Sequence, residues 1–323
     1  MSSPQVTLSA IQEAKVRIVN VAYRTPLYYS PRLSALTKAN VYLKLESYQP
    51  IRVFKIRGAA NKILKLNPDE RKRGLIAASS GNHGLAVSYL AKMTGTHATI
   101  VVPTNAVQEK VKAIEEYGGI VVKHGLFHDE RFEKAMEIQK ATGAVLIPPF
   151  DDPDVIAGQG TAGLEIYEDL PEVERVIVPI GGGGLISGIS TAVKSLKPGV
   201  KVLGVEPEKA SSMYQSVKNG KITRLSDTTS IADGLATREP GALTYEIVKR
   251  NVDDIVLVSE EQIEKAVFTA MNECHLVIEP SAAAAIAALL EKIRPKPEEK
   301  VVVVVSGGNV SLKTLATVLS KYG

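Results

Sequence analysis

Short β-branched runs alternate with amphipathic stretches along this chain. Val41–Leu45, Leu75–Ala78, Thr99–Val102, Ile120–Lys123, Val145–Ile147, Val176–Pro179, Val202–Val205, Ile255–Val258 and Val301–Val305 read as strands. Between them, Gly84–Met93, Gln108–Tyr117, Arg131–Thr142, Ser187–Leu196 and Glu261–Asn272 place apolar residues at helical spacing. Strands that are unbroken Val/Ile runs predict parallel pairing with both faces covered. Repeated strand–helix alternation predicts an α/β fold with right-handed crossovers. No internal repeat or low-complexity linker divides the chain. Each half holds several βα units, and a ligand cleft between the halves is expected.

Composition narrows the class. The 323 residues are 45% hydrophobic and 23% charged, with a net charge of +4, which excludes a disordered or fibrous chain. The charges are mixed in sign, so no basic stripe grips nucleic acid. One cysteine, Cys274, excludes an internal disulfide and a cysteine-built zinc cage, and it reads as core. Residues 1–10 lack the charged and apolar regions of a signal peptide, and the longest apolar runs fall short of the ~20 residues of a membrane span. The expectation is a cytoplasmic protein. There are 25 glycines and no tryptophan, and the glycines cluster.

Three of those clusters follow strands and precede helices. Ser79-Ser80-Gly81-Asn82-His83-Gly84 is either an ordinary capped βα turn or an anion site at a helix N-terminus. Gly181-Gly182-Gly183-Gly184 loses much conformational entropy on ordering, and a strand–glycine–helix order describes a phosphate cradle. The loop is not a P-loop, and it misses the last glycine of the dinucleotide pattern. Glu206 nevertheless ends the next strand where a ribose-binding acid would sit, which keeps a nicotinamide-dependent dehydrogenase as an alternative. Ser306-Gly307-Gly308-Asn309 is the third cluster. A fourth feature is Lys55, flanked by Val53, Phe54 and Ile56 just ahead of a helical stretch at Ala59–Leu66. Burial and a helix N-terminus would both lower its pKa, as a covalent-catalysis lysine requires. There is no metal-ligand histidine spacing and no G-x-S-x-G elbow.

A lysine, a phosphate cradle and a carboxylate-binding turn are the parts of a pyridoxal-phosphate site. The motifs Phe54-Lys55-Ile56-Arg57-Gly58-Ala59, Ser80–Gly84, Gly181–Gly184, Ile231-Ala232-Asp233-Gly234, Glu279-Pro280-Ser281-Ala282 and Ser306–Asn309 resemble those of the fold type II serine/threonine dehydratases and serine racemases. FDDPDVIAGQGT at 150–161 and Gly204–Pro207 support this, and the resemblance runs from about Thr25 to Asn309 in the family's order.

The resemblance implies two open twisted sheets with helices on both faces, as in the tryptophan synthase β-like fold. It implies a large cofactor-binding domain of residues 1–50 and 152–323 and a small substrate-side domain of residues 51–151. Pyridoxal 5'-phosphate would be held covalently on Lys55, which also removes the α-proton. The Gly181, Gly182, Gly183 and Gly184 amides would bind its phosphate, Asn82 its ring hydroxyl, and Ser306 its ring nitrogen, with Phe54, Gly234 and Glu279 also at the cofactor. Ser79, Ser80, Gly81, Asn82 and His83 would clamp the substrate carboxylate.

L-threonine and L-serine would then give 2-oxobutanoate and pyruvate with ammonia. Ser80 stands where the racemases carry a second base, so amino-acid racemisation is the alternative reaction. Arg131 falls where racemase-like enzymes carry an arginine for an acidic substrate, although an exposed helical arginine is the expectation. Two departures stand out. The family lead-in T-G-S-F-K is Ile51-Arg52-Val53-Phe54-Lys55 here, without the hydroxyl before Phe54. The cation site would comprise Glu206, the Ala210 carbonyl and Ser212, where the second acid is missing, so a monovalent ion is favoured over a divalent one. The chain stops at Gly323, leaving no room for a regulatory domain. A homodimer or homotetramer is expected.

Overall fold

The computed structural model describes residues 6–79, 81–106, 108–126 and 128–323. Ten strands form two sheets among these residues: β1 Leu27–Tyr29, β2 Asn40–Leu45, β3 Leu75–Ala78, β4 Ala98–Val102, β5 Ile120–Lys123, β6 Val145–Leu146, β7 Arg175–Pro179, β8 Lys201–Pro207, β9 Asp254–Val258 and β10 Lys300–Val305. One sheet runs β1-β2-β10-β7-β8-β9 and the other β5-β4-β3-β6. Only β1 is antiparallel, paired through Leu27 with Lys44 and Tyr29 with Tyr42. All nine strands expected from the sequence are present within a residue or two. β1 was not, because three residues ending on exposed Tyr28 and Tyr29 show neither alternation nor an apolar run.

β10 sits in the middle of the six-stranded sheet, with Val301–Val305 opposite Val41–Leu45 on one side and Val301–Val303 opposite Arg175–Ile177 on the other. Its five valines are wholly buried, as the two-face-covered reading requires. The Ala-rich helix Pro280–Glu291 covers one face, with every residue from Pro280 to Leu289 buried. On the other face, helices Pro153–Asp169 and Gly184–Leu196 cross at glycines: a Cβ on Gly188 would lie 2.4 Å from the Gly160 nitrogen and the Ile156 carbonyl oxygen. Small residues let these backbones approach, which places the N-terminus of Gly184–Leu196 directly behind the carboxyl end of β7.

A charge network lies inside the protein. Arg57, Lys44 and Glu46 are at most 1% exposed, and Glu165 is 4% exposed. The Arg57 guanidinium donates to both Glu46 oxygens at 2.7 and 2.9 Å and to both Glu165 oxygens at 2.7 Å. Lys44 Nζ donates to Glu165 at 2.5 Å, and Thr25 Oγ1 donates to Glu46 at 2.6 Å. Two cations and two anions balance, and each carboxylate has several donors, the condition under which buried charge is tolerated. Burial alone would push the Glu46 carboxyl up, but the Arg57 charge and hydrogen bonds hold it below the usual range. The network ties the helix Lys55–Leu64 to β2 and to Pro153–Asp169.

Candidate active site

The three glycine–serine clusters all leave the carboxyl ends of strands: Ser79–Gly84 follows β3, Gly181–Gly184 follows β7, and Ser306–Asn309 follows β10. The Gly181–Gly184 loop has the attributes of an anion cradle. Among the described residues, its four N–H groups donate to no protein acceptor, and they open onto the N-terminus of a 13-residue helix. Gly183 adopts φ +92°, a conformation that suits only glycine. The loop is tightly surrounded: a Cβ on Gly182 would lie 2.3 Å from the Phe150 ring, and one on Gly181 would lie 2.9 Å from the Gly234 carbonyl oxygen. The Gly234 N–H is taken by Ser281 Oγ at 3.0 Å, so Gly234 borders the cradle without adding a free donor.

Lys55 opens its helix rather than preceding it, because the helix starts four residues earlier than its apolar spacing indicates. No side chain caps that start. Instead the preceding segment is stitched to the third cluster: Phe54 N–H donates to the Ser306 carbonyl at 3.0 Å, Val53 bridges Gly307, and Gly308 N–H donates to the Arg52 carbonyl at 2.8 Å. Arg52 takes φ +60° to make the turn, at the position where the family lead-in has glycine. Val53 is fully buried, so the missing hydroxyl of that lead-in has become core. The stitch sets Lys55 beside buried Ser306.

Lys55 Nζ donates to the Pro149 carbonyl at 2.7 Å and lies 5.1 Å from the centre of the Phe54 ring. Burial pushes its pKa down to about 8, with the Glu279 charge opposing the shift. Glu279 is itself pushed up to about 7 by burial, against the Asn82 hydrogen bond. Asn82 links two of the clusters: its Nδ2 donates to both Glu279 oxygens at 3.0 and 2.9 Å, and its Oδ1 accepts from Asn309 Nδ2 at 2.9 Å.

Other expected residues fall out differently. Ser80 lies outside the described residues. Ser79 Oγ accepts from Gly81 N–H at 3.3 Å, which shapes the turn. The His83 ring is buried, with Nε2 2.8 Å from the Ile147 carbonyl, and burial drives its pKa down to about 3. His83 therefore anchors the turn as a neutral ring. Glu206 is fully buried, and its carboxylate accepts from Met213 and Tyr214 N–H at 2.9 and 2.8 Å. An acid spent on a helix start cannot reach a ribose, which removes the nicotinamide alternative. Ser212 and Ala210 lie beside it, both buried, and the Ser212 hydroxyl has no partner among the described residues. Burial pushes Glu206 up to about 8. Arg131 corrects an expectation: it is 9% exposed rather than solvated, with Nη1 donating to the Leu126 carbonyl at 2.9 Å. Phe150 and Asp151 open the 150–161 stretch that supported the resemblance, though without an assigned role, whereas Thr244, whose hydroxyl meets the glycine loop, carried no signal because nothing local marks it.

A lysine whose pKa burial lowers to about 8, joined through Pro149 and Phe150 to a cradle of bare amides, fits a phosphorylated aldehyde. The donors match the phosphate, the amine matches the aldehyde, and the surroundings are dry. Fold and site together define an α/β enzyme that uses such a cofactor. The chain belongs to the pyridoxal-phosphate dependent enzyme family, whose model matches residues 18–307. It is 46% identical over 98% of its length to the L-threonine ammonia-lyase of Thermotoga maritima, covering 79% of that protein. It is 42% identical over 97% of its length to the catabolic L-threonine dehydratase of Escherichia coli K12, covering 96% of that protein. Among solved structures, maize serine racemase superposes with a TM-score of 0.93 at 38% identity, covering 98% of both chains. Tomato threonine deaminase isoform 2 superposes with a TM-score of 0.90 at 36% identity, covering 98% of this chain and 94% of that one.

Proposed function

We propose that this protein deaminates L-threonine and L-serine by α-proton removal and β-elimination, giving 2-oxobutanoate or pyruvate plus ammonia. The carrying observation is the lysine of lowered pKa backed by the Ser306–Gly308 segment and set with a cradle of unpaired amides. Dehydratase and ammonia-lyase relatives at 42 and 46% identity support it.

Pyridoxal phosphate, when bound, supplies electron withdrawal from the substrate Cα. Lys55 Nζ would hold the cofactor covalently and, once displaced by the substrate amine, would take the α-proton. The Gly181–Gly184 amides would bind the phosphate. Ser79, Ser80, Gly81, Asn82 and His83 would orient the substrate carboxylate for proton removal by Lys55. Ser306 would offer the ring nitrogen a neutral hydroxyl, and Asn82, which Glu279 and Asn309 hold in place, would offer its amide to the ring hydroxyl. Glu206, the Ala210 carbonyl and Ser212 would take a monovalent cation, which would relieve a buried carboxylate that has no cationic partner among the described residues. A cytoplasmic homodimer or homotetramer completes the reading. No helix among the described residues is long and apolar enough to cross a membrane.

The test is direct. Purified protein should be yellow, release 2-oxobutanoate from L-threonine, and carry a pyridoxyl group on Lys55 after borohydride reduction. A colourless protein unable to take up pyridoxal phosphate overturns the reading. The 0.93 TM-score to a serine racemase favours racemisation as a second activity. Ser80→Ala should abolish D-serine while sparing pyruvate; no D-serine from the unmutated enzyme removes that activity.

A further inference from the structure

We infer that Thr244, held by Asp151, is a positioning residue that sets the peptide orientation of the phosphate cradle. The inference rests on the reading of Gly181–Gly184 as a phosphate site and adds two residues from outside it.

Thr244 is fully buried, and its Oγ1 donates to the Gly182 carbonyl at 2.7 Å, the Gly241 carbonyl being a longer second acceptor at 3.1 Å. That carbonyl accepts no N–H from the helix Gly184–Leu196, so the threonine is its partner among the described residues. A trans peptide is planar, and its N–H points opposite to its C=O. With the Gly182 carbonyl fixed on Thr244, the Gly183 N–H must face the other way, where it meets no protein acceptor. Glycine-rich loops flip such peptides at little steric cost. A flip here would present a carbonyl oxygen to an incoming phosphate in place of a donor. The hydroxyl blocks that flip.

Thr244 is fixed in turn. The Asp151 carboxylate accepts from the N–H groups of Ala242, Leu243 and Thr244 at 3.0, 3.0 and 3.2 Å, capping the helix Ala242–Asn251. Three donors on one carboxylate at a helix N-terminus leave Thr244 little freedom to move. The same short segment reaches the rest of the site: the Pro149 carbonyl accepts from Lys55, and the Phe150 ring packs on Gly182 and Gly184. Residues 149–151 thus touch both ends of the cofactor site, the amine and the phosphate cradle.

The experiment compares binding of pyridoxal phosphate and of unphosphorylated pyridoxal to the apoprotein, by absorbance titration. The ratio of the two affinities isolates the phosphate. Thr244→Val should lower that ratio about 10- to 100-fold, since a mis-aimed donor to a charged group is lost. Thr244→Ser, which keeps the hydroxyl, should restore it. Asp151→Ala, at an exposed position, should lower the ratio in the same direction and by less. An unchanged ratio in T244V and D151A overturns the inference. So does an equal loss of both ligands, which would mean general disruption. An unmutated protein with no preference for the phosphorylated ligand overturns the phosphate-site reading itself, a distinct result.

Discussion

The Nζ of Lys55 lies 2.7 Å from the carbonyl oxygen of Pro149, two residues before the carboxylate that caps the helix Ala242–Asn251. This contact and burial define the resting state of the amine. Only the uncharged amine attacks an aldehyde. With a pKa of about 8 rather than 10.5, about one in ten Lys55 amines is uncharged at pH 7, against about one in 3,000 for an ordinary lysine. Cofactor capture by the apoprotein should therefore accelerate as pH rises and level off above about 8. Stopped-flow absorbance across pH 6–10 measures it, and a rate still climbing tenfold per unit at pH 9.5 contradicts the burial of this lysine.

Glu279 predicts a stability effect with a fixed sign. Its folded pKa of about 7 lies above the ordinary 4.5, so the folded chain binds more protons than the unfolded chain between those values. Stability is then lost as pH rises through that window. Glu279→Gln keeps an acceptor for Asn82 and removes the charge. The apoprotein carrying E279Q should be more stable than the unmutated one at pH 8, by about 1–3 kcal/mol, with the difference vanishing below about pH 5. Thermal melts at both pH values decide.

Arg57→Met should cost about 3–5 kcal/mol at pH 7, because it strands Glu46 and Glu165 with only Lys44 between them. The loss should shrink in acid as those carboxylates take up protons. Urea midpoints at pH 7 and pH 5 give the comparison. A deficit that is the same at both would mean lost packing rather than lost charge.

Gly183→Ala combines two penalties. The backbone stays at φ +92°, and the new methyl would lie 2.7 Å from Met213 Cε and 2.9 Å from Thr244 Cβ. About 1–3 kcal/mol of stability should go, with a weakening of pyridoxal phosphate binding at least 10-fold. Binding of unphosphorylated pyridoxal should change far less, since the strain falls on the cradle.

The strand order was not legible in the sequence, but the strands were. Val301–Val305 announces a buried parallel strand because nothing polar interrupts it, whereas Leu27–Tyr29 is made a strand by its partner Tyr42–Lys44. The glycine clusters and Lys55 could be read because a backbone that must approach a ligand needs small residues in sequence. The buried ions could not. Lys44, Glu46, Arg57 and Glu165 look like surface charge one at a time, and only the fold reveals that they neutralise one another. Arg131 misled for the same reason. Thr244 Oγ1 meets the Gly182 carbonyl from 62 residues away, so no local pattern could carry that contact.

The central place of β10 bears on how the protein is made. Synthesis delivers Lys55 early, while the strand that fills the gap between β2 and β7, and the Ser306–Gly308 segment behind the lysine, follow only after the other nine strands. Until then the nascent chain holds an incomplete sheet with two open apolar edges and a site without its rear wall, surfaces of the kind that pair with a neighbour.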